Sequence, residues 1–458
     1  MKPFFALSLC LLCVITSGAQ NVSAALQKAV QKLESDPQMQ QAMLSVYVAD
    51  AATGKAVFAH NSSVGMAPAS TQKLITSATA YALLGRDFRY RTQFALIKNG
   101  AANTLAIQPS GDPTLGSWRW KSTTEAAVVQ RIATAVRNSG AGQLANIMVY
   151  HKGWNEEAIP GGWTWEDMGN YYGAGAYGLN WRENQYDVLL RSGNAVGDAV
   201  QVAGTVPKLY DFSLQSQVRS AAKGTGDRTL IYLPVMSREG VIRGTIPVGE
   251  QQFKVSGAMP NPMHQFTETL SEALRNTAQL PAEPALVLED GLPASTVVHE
   301  EVSPSLDTII YWFNQKSINL YGEALLKTMA LQKGKKASTE DAVAVVKDFW
   351  KAQGIPQTEI NIADGSGLSP ANRVTTRAQV AVLLYAKKQA WYPGFFASLP
   401  VYNGMKMKSG TIGGVKGFAG YHTAKSGTTY AFSILINNYN GAASGIVQKM
   451  YTVLNELK

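Results

Sequence analysis

Cysteine is almost absent from this chain: 458 residues hold two, Cys10 and Cys13. Both lie in an N-terminal stretch that reads as a secretion signal. Lys2 precedes the apolar run FFALSLCLLCVI, and Thr16-Ser17-Gly18-Ala19 supplies small residues before a cut after Ala19. The run is too short for an ordinary membrane span. Leu12, before Cys13, is not the small residue that lipid attachment requires. The mature protein therefore has no thiol. That excludes disulfides, a thiol nucleophile and a Cys-ligated zinc site, and leaves packing to hold the fold. Histidine is scarce too. His60, His151, His264, His299 and His422 show neither His-x-x-His nor His-Glu-x-x-His spacing, so a zinc peptidase would lack its ligands and no metal is expected.

Charge is sparse, at 16% of residues. Removing the signal takes only Lys2 from the 41 Lys and Arg and none of the 32 acids, leaving about +8. The basic residues form no block, which argues against nucleic acid. The excess suits an anionic cell envelope, in the periplasm or at the envelope surface, and is compatible with peripheral membrane association.

What is present is a change of texture along the chain. SAALQKAVQKLES has helical apolar spacing. MLSVYVADAATGKAVFAHNS reads as a hairpin, and MAPASTQKLITSATAYALLG as a helix entered after Pro68 and ended at Gly85. From Asp87 to about Leu288, short β-rich runs (YRTQFALI, ANIMVYH, NQYDVLLR, RTLIYLPV) alternate with turns, ending in the helix HQFTETLSEALRNTAQL. Helices then return, with Ser303 expected as an N-cap. GFAGYHTA and YAFSILINN close the chain as strands before a last helix from about Gly445. The pattern predicts an α/β domain, 20–86 with 289–458, interrupted by a mainly β insertion at 87–288 of one or two lobes.

Three short motifs carry chemistry. Ser70-Thr71-Gln72-Lys73 puts a hydroxyl and an amine on one face at a helix start, where the amine can activate the hydroxyl. Ser220-Ala221-Ala222-Lys223 repeats the spacing but runs into Gly224-Thr225-Gly226, so no helix continues from it. Ser317-Ile318-Asn319 lies between two apolar helical stretches, whereas Ser192-Gly193-Asn194 lies in a turn. Lys-Ser-Gly-Thr occurs at 408–411, on a strand-like run, and at 425–428, between two strands, where it reads as the hairpin turn. No Gly-x-Ser-x-Gly elbow is present; Asp364-Gly365-Ser366-Gly367 lacks the first glycine. His422 reads as an ordinary strand residue.

The order Ser70-x-x-Lys73, Ser317-x-Asn319, Lys408-Ser409-Gly410 is that of penicillin-recognising serine enzymes. With SGDPTL (110–115), GWTWEDM (162–168), DGSGLS (364–369) and a gap of 247 positions between the first two motifs, nearly the whole mature chain resembles one family. It is that of the D-alanyl-D-alanine carboxypeptidases/endopeptidases, the class C low-molecular-mass penicillin-binding proteins.

The resemblance implies a penicillin-binding-protein/β-lactamase-like transpeptidase fold with the β insertion between motifs one and two. It implies cleavage of peptidoglycan stem peptides without a cofactor, and β-lactams as covalent inhibitors. Ser70 would be acylated, with Lys73 as base and Ser317 and Asn319 relaying a proton and holding the substrate backbone. Lys408, with the hydroxyls of Ser409 and Thr411, would hold the terminal carboxylate, and Gly410 would let substrate approach. The amides of Ser70 and Thr411 would form the oxyanion hole. From the insertion, Asp167 would face the amino end of the diamino-acid side chain, with Glu166 adjacent. A β-lactamase or esterase on the same fold, or a non-catalytic peptidoglycan-binding protein, are the competing readings.

Overall fold

The structure is a computed structural model that describes residues 21–100, 102–150, 153–154, 157–235, 237–278, 288–289 and 292–458. The expected signal and both cysteines lie outside the described residues. The chain forms two compact units. One comprises the described residues up to Ala82, Ile310–Ser317 and Val346–Lys458; the other comprises Leu83–Ile309 and Ile318–Val345.

The first unit is built on a six-stranded antiparallel sheet. Its order is Val401–Tyr402, Met405–Ile412, Val415–Thr423, Thr429–Asn437, Met43–Asp50 and Ala56–His60. N-terminal and C-terminal strands pair at its centre, from Met43↔Asn437 to Asp50↔Tyr430. Period-two alternation sends one set of side chains to each face. Leu44, Val46, Val48, Phe432 and Ile434 bury against Leu26, Val30 and Leu33 of the 21–34 helix and Ile446, Met450 and Val453 of the Ala443–Asn455 helix. On the other face Ser45, Ser433 and Tyr421 bond to Thr376, Gln379 and the Leu383 carbonyl of the Thr376–Lys387 helix. The expected hairpin and terminal helices are all present.

The second unit contains a mixed five-stranded sheet ordered Leu288–Glu289, Leu144–Tyr150, Ala102–Gln108, Arg91–Asn99 and Thr296–Val302. It also holds two three-stranded sheets. The β-rich reading of the insertion omitted the helix Glu125–Asn138, whose Val128, Ile132 and Val136 are buried at four-residue spacing. That helix packs with the longer Pro262–Ala278 helix.

One cap expectation is corrected. Ser305, not Ser303, starts the Leu306–Lys316 helix, its carbonyl accepting from the amides of Thr308 and Ile309. The Ser303 hydroxyl instead accepts from the Tyr90 amide at 2.9 Å, tying the helix entry to the start of the Arg91–Asn99 strand.

Candidate active site

Ser70 lies in a tight 3₁₀ turn, Ala69–Gln72, that feeds directly into the Lys73–Leu84 helix. The turn is strained. Ala69 has φ +46°, a left-handed conformation that costs a residue with a Cβ about 1–3 kcal/mol. Local and long-range contacts hold it there. The Thr71 hydroxyl donates to the Pro68 carbonyl at 2.6 Å and accepts from Gln379 Nε2 at 2.7 Å, while Gln379 Oε1 accepts from Ser433 on the sheet. Gly367 packs against the Ala69 carbonyl so closely that a Cβ would lie 2.0 Å from that oxygen.

Lys73 is fully buried. Its Nζ lies 3.0 Å from Ser70 Oγ, donates to the Ser366 carbonyl at 2.7 Å, and sits 5.7 Å from the centroid of the Phe313 ring. The Ser366 carbonyl is presented by the DGSGLS segment, which wraps around a buried carboxylate. Asp364 accepts the amides of Gly367 (2.7 Å) and Ser369 (2.6 Å) and the side-chain amides of Gln72 and Asn372 (both 3.0 Å). In the same loop the Gly365 carbonyl accepts from Thr76 Oγ1 at 2.6 Å. In the sequence this segment stands out as a family-like string and as an incomplete hydrolase elbow, neither of which points to the role of its carboxylate. Its signal is an acidic residue followed by small ones, the composition of a loop that folds back on its own carboxylate.

The Met405–Ile412 strand runs hard against the Ser70 turn. At Gly410 a Cβ would lie 2.6 Å from the Pro68 carbonyl oxygen, 2.9 Å from the Thr71 amide nitrogen and 3.0 Å from that of Ser70. Only glycine permits this approach. On one side the strand pairs with Val415–Thr423 from Lys406 to Ile412; on the other it meets Val401–Tyr402 at Met405 and Lys406, and the Met407 amide donates to the Pro400 carbonyl at 2.9 Å. Among the described residues, Lys408 to Ile412 therefore form an open strand edge, available for β-pairing with an extended peptide. Lys408 is buried, and its Nζ donates to the Ser409 carbonyl at 2.8 Å. Burial holds this amine well below its ordinary pKa, and the charges of Lys73 and Lys416 push the same way.

The second Lys-Ser-Gly-Thr, 425–428, is the exposed turn between the last two strands. It closes with Gly427 N donating to the Ala424 carbonyl at 2.9 Å, and Gly427 has φ +85°. The other duplicates meet each other in the second unit. Ser220 Oγ accepts from the Gly193 amide at 3.0 Å, so Ser220-x-x-Lys223 and Ser192-x-Asn194 are two sides of one loop contact.

Ser317 belongs to the first unit, at a junction between helices where its φ is +57°. It follows Phe313 by four residues. Asn319 starts the Asn319–Gln332 helix, which belongs to the second unit. There its Nδ2 donates to the Tyr172 carbonyl at 2.7 Å. The same helix is anchored by Tyr321, whose hydroxyl donates to buried Glu183 at 2.7 Å. Glu183 also accepts from Ser117 and takes both ends of the Arg119 fork. Asp167 is on the short Trp165–Met168 turn; Thr164 Oγ1 donates to it at 2.7 Å. Burial and the Asp167 carboxylate push the Tyr172 hydroxyl up to about 12. Asp167 and Asn319 thus both address Tyr172, while Glu166 is exposed.

A buried amine on a serine hydroxyl at a helix start, beside an open strand edge, can perform serine acyl transfer. The sequence pattern of the D-Ala-D-Ala carboxypeptidase 3 (S13) family matches residues 26–404. The chain belongs to that family. Within it, the chain is 26% identical to a D-alanyl-D-alanine carboxypeptidase of Actinomadura sp. (strain R39), over 93% of this chain and 84% of the relative. It is 24% identical to D-alanyl-D-alanine carboxypeptidase DacB of Haemophilus influenzae, over 83% and 82%. The crystal structure of penicillin-binding protein 4 (DacB) from H. influenzae superposes with a TM-score of 0.79 at 21% identity, covering 94% of this chain and 99% of that one. The penicillin-binding-protein-like fold that the resemblance implies is therefore the fold observed. The same H. influenzae protein has also been solved in complex with a β-lactam.

Proposed function

We propose that this S13 protein is an exported, penicillin-sensitive serine carboxypeptidase of peptidoglycan stem peptides, with endopeptidase action on cross-links at the same site. The observation that carries the reading is the buried Lys73 amine 3.0 Å from Ser70 Oγ. Lys73 takes the Ser70 proton as Oγ attacks the carbonyl between two D-alanines, or between D-alanine and a cross-linking diamino acid. The oxyanion forms between the amides of Ser70 and Thr411. Ser317 passes a proton to the leaving amine and Asn319 holds the substrate backbone. Lys408 and the Ser409 and Thr411 hydroxyls hold the terminal carboxylate, with Gly410 leaving room for the substrate main chain. D-alanine, or the cross-linked strand, leaves, and water releases the acyl group. Asp167 meets the amino end of the diamino-acid side chain. No step requires a cofactor.

The export reading rests on the N-terminal signal and the substrate's location. Among the described residues no helix is long and apolar enough to cross a membrane; peripheral attachment through basic surface charge is part of the proposal. The test is labelling with fluorescent penicillin. Wild type should label stably and release D-alanine from an acyl-D-Ala-D-Ala peptide, and Ser70→Ala should do neither. Rapid loss of the label would make the protein a β-lactamase instead, and an unlabelled wild type would defeat the reading.

A further inference from the structure

The hairpin that carries the third motif contains a cation that the three motifs do not name. The chain turns through Gly413-Gly414, pairing Ile412 with Val415 and Thr411 with Lys416. Paired residues share a sheet face, so Lys416 stands beside Thr411 on the face that also carries Ser409. Lys416 Nζ donates to Thr411 Oγ1 at 2.6 Å and lies 5.4 Å from the centroid of the Phe418 ring, two residues along the same face. Lys416 is partly exposed. Lys408, by contrast, is sealed in, with its Nζ on the Ser409 carbonyl.

The chemistry follows from what each group can do. An ammonium only donates. Its bond to Thr411 takes a lone pair of the hydroxyl oxygen and leaves the hydroxyl proton to be aimed elsewhere. A threonine so held is a directed donor with a positive charge behind it, which is what a carboxylate at the strand edge requires. The Phe418 ring fixes the ammonium from one side. Burial lowers the pKa of both lysines, further for Lys408, so the more solvated amine is the better lasting charge.

We propose that Lys416 is a positioning residue for carboxylate recognition: it orients the Thr411 hydroxyl as a donor and supplies the nearby charge for substrates ending in a free carboxylate. The proposal rests on the reading of Thr411 as a carboxylate ligand.

The experiment compares wild type, Lys416→Met and Lys416→Arg on an acyl-D-Ala-D-Ala peptide and on its C-terminal carboxamide, with penicillin acylation measured alongside. Thermal melts confirm that the variants fold. For Lys416→Met, KM on the carboxylate substrate should rise about tenfold. Its kcat should stay within about threefold, and the carboxamide should be nearly unaffected. Penicillin, which carries a carboxylate, should acylate more slowly, and Lys416→Arg should recover most of the loss. Unchanged kinetics in Lys416→Met, or equal losses on carboxylate and carboxamide, would overturn the proposal alone. Failure of the wild type to be acylated at all would overturn the whole site reading, and this proposal with it.

Discussion

Lys73 donates to the backbone carbonyl of Ser366 at 2.7 Å, across 293 positions of sequence. The amine beside Ser70 is therefore held by a loop rather than by its own helix, and that loop is shaped by one carboxylate. Asp364 gathers two main-chain amides and two side-chain amides.

Replacing Asp364 by Asn should damage stability and catalysis together. Asn has one acceptor oxygen and an NH₂ where Asp has two acceptors, so at least one buried donor loses its partner, at a cost of about 1–3 kcal/mol. The Ser366 carbonyl then drifts and Lys73 with it. Urea unfolding and penicillin acylation measured on the same preparation check this. Unimpaired acylation in a destabilised Asp364→Asn protein would separate the loop from the amine.

The doubled Lys-Ser-Gly-Thr gives an internal control. Lys408→Ala should slow acylation by about 10²-fold or more, the scale of losing a charged group at a preorganised site. Lys425→Ala, in an exposed turn, should leave it unchanged. Equal damage from the two substitutions would overturn the assignment of the first copy.

Gly410→Ala tests the close approach directly. The new Cβ would meet three backbone atoms at 3.0 Å or less, none able to swing away. Strand and serine turn must separate, at a cost of about 1–3 kcal/mol. A displacement near 1 Å at Ser70, the proposed nucleophile, would lower rate by about 10²-fold. Acylation should fall by that order while the melting temperature shifts only a few degrees.

The helix that begins at Asn319 contains a pH-sensitive anchor. Lys327 is buried, its Nζ bonded to the Glu157 and Ala176 carbonyls, and burial lowers its pKa to about 8 from 10.5. Between pH 8 and 10.5 the unfolded chain therefore holds a proton at this site that the folded one has released. Its contribution to the unfolding free energy rises with pH across that window. Urea titrations from pH 7.5 to 10.5 should show wild type gaining stability relative to Lys327→Met, and parallel curves would refute the anchor's titration.

Much of this was legible because the chemistry lies in short strings. Ser70 and Lys73 are three apart on one helix entry, and Lys408-Ser409-Gly410 alternates on one strand. Local context was enough to set aside the copies at 220 and 425. The hairpin and terminal helices followed from apolar period. What escaped depends on register between distant segments. Nothing near Lys73 announces Ser366, and nothing near Thr411 announces Lys416 until the Gly413-Gly414 turn fixes which residues face each other. The Glu125–Asn138 helix is different: Val128, Ile132 and Val136 carried its signal, and the surrounding β runs obscured it. Ser303 matched a capping residue by type, but its hydroxyl is taken by the Tyr90 amide.

The left-handed Ala69 has a consequence for how this protein can be improved or tamed. A glycine there would relax a conformation that costs a Cβ-bearing residue about 1–3 kcal/mol, and would also widen the range of poses open to the next residue, Ser70. Stabilisation and precise placement of Ser70, the proposed nucleophile, thus pull in opposite directions at a single methyl group. Directed evolution for heat resistance should find that exchange tempting and slow, and selection for turnover should reverse it.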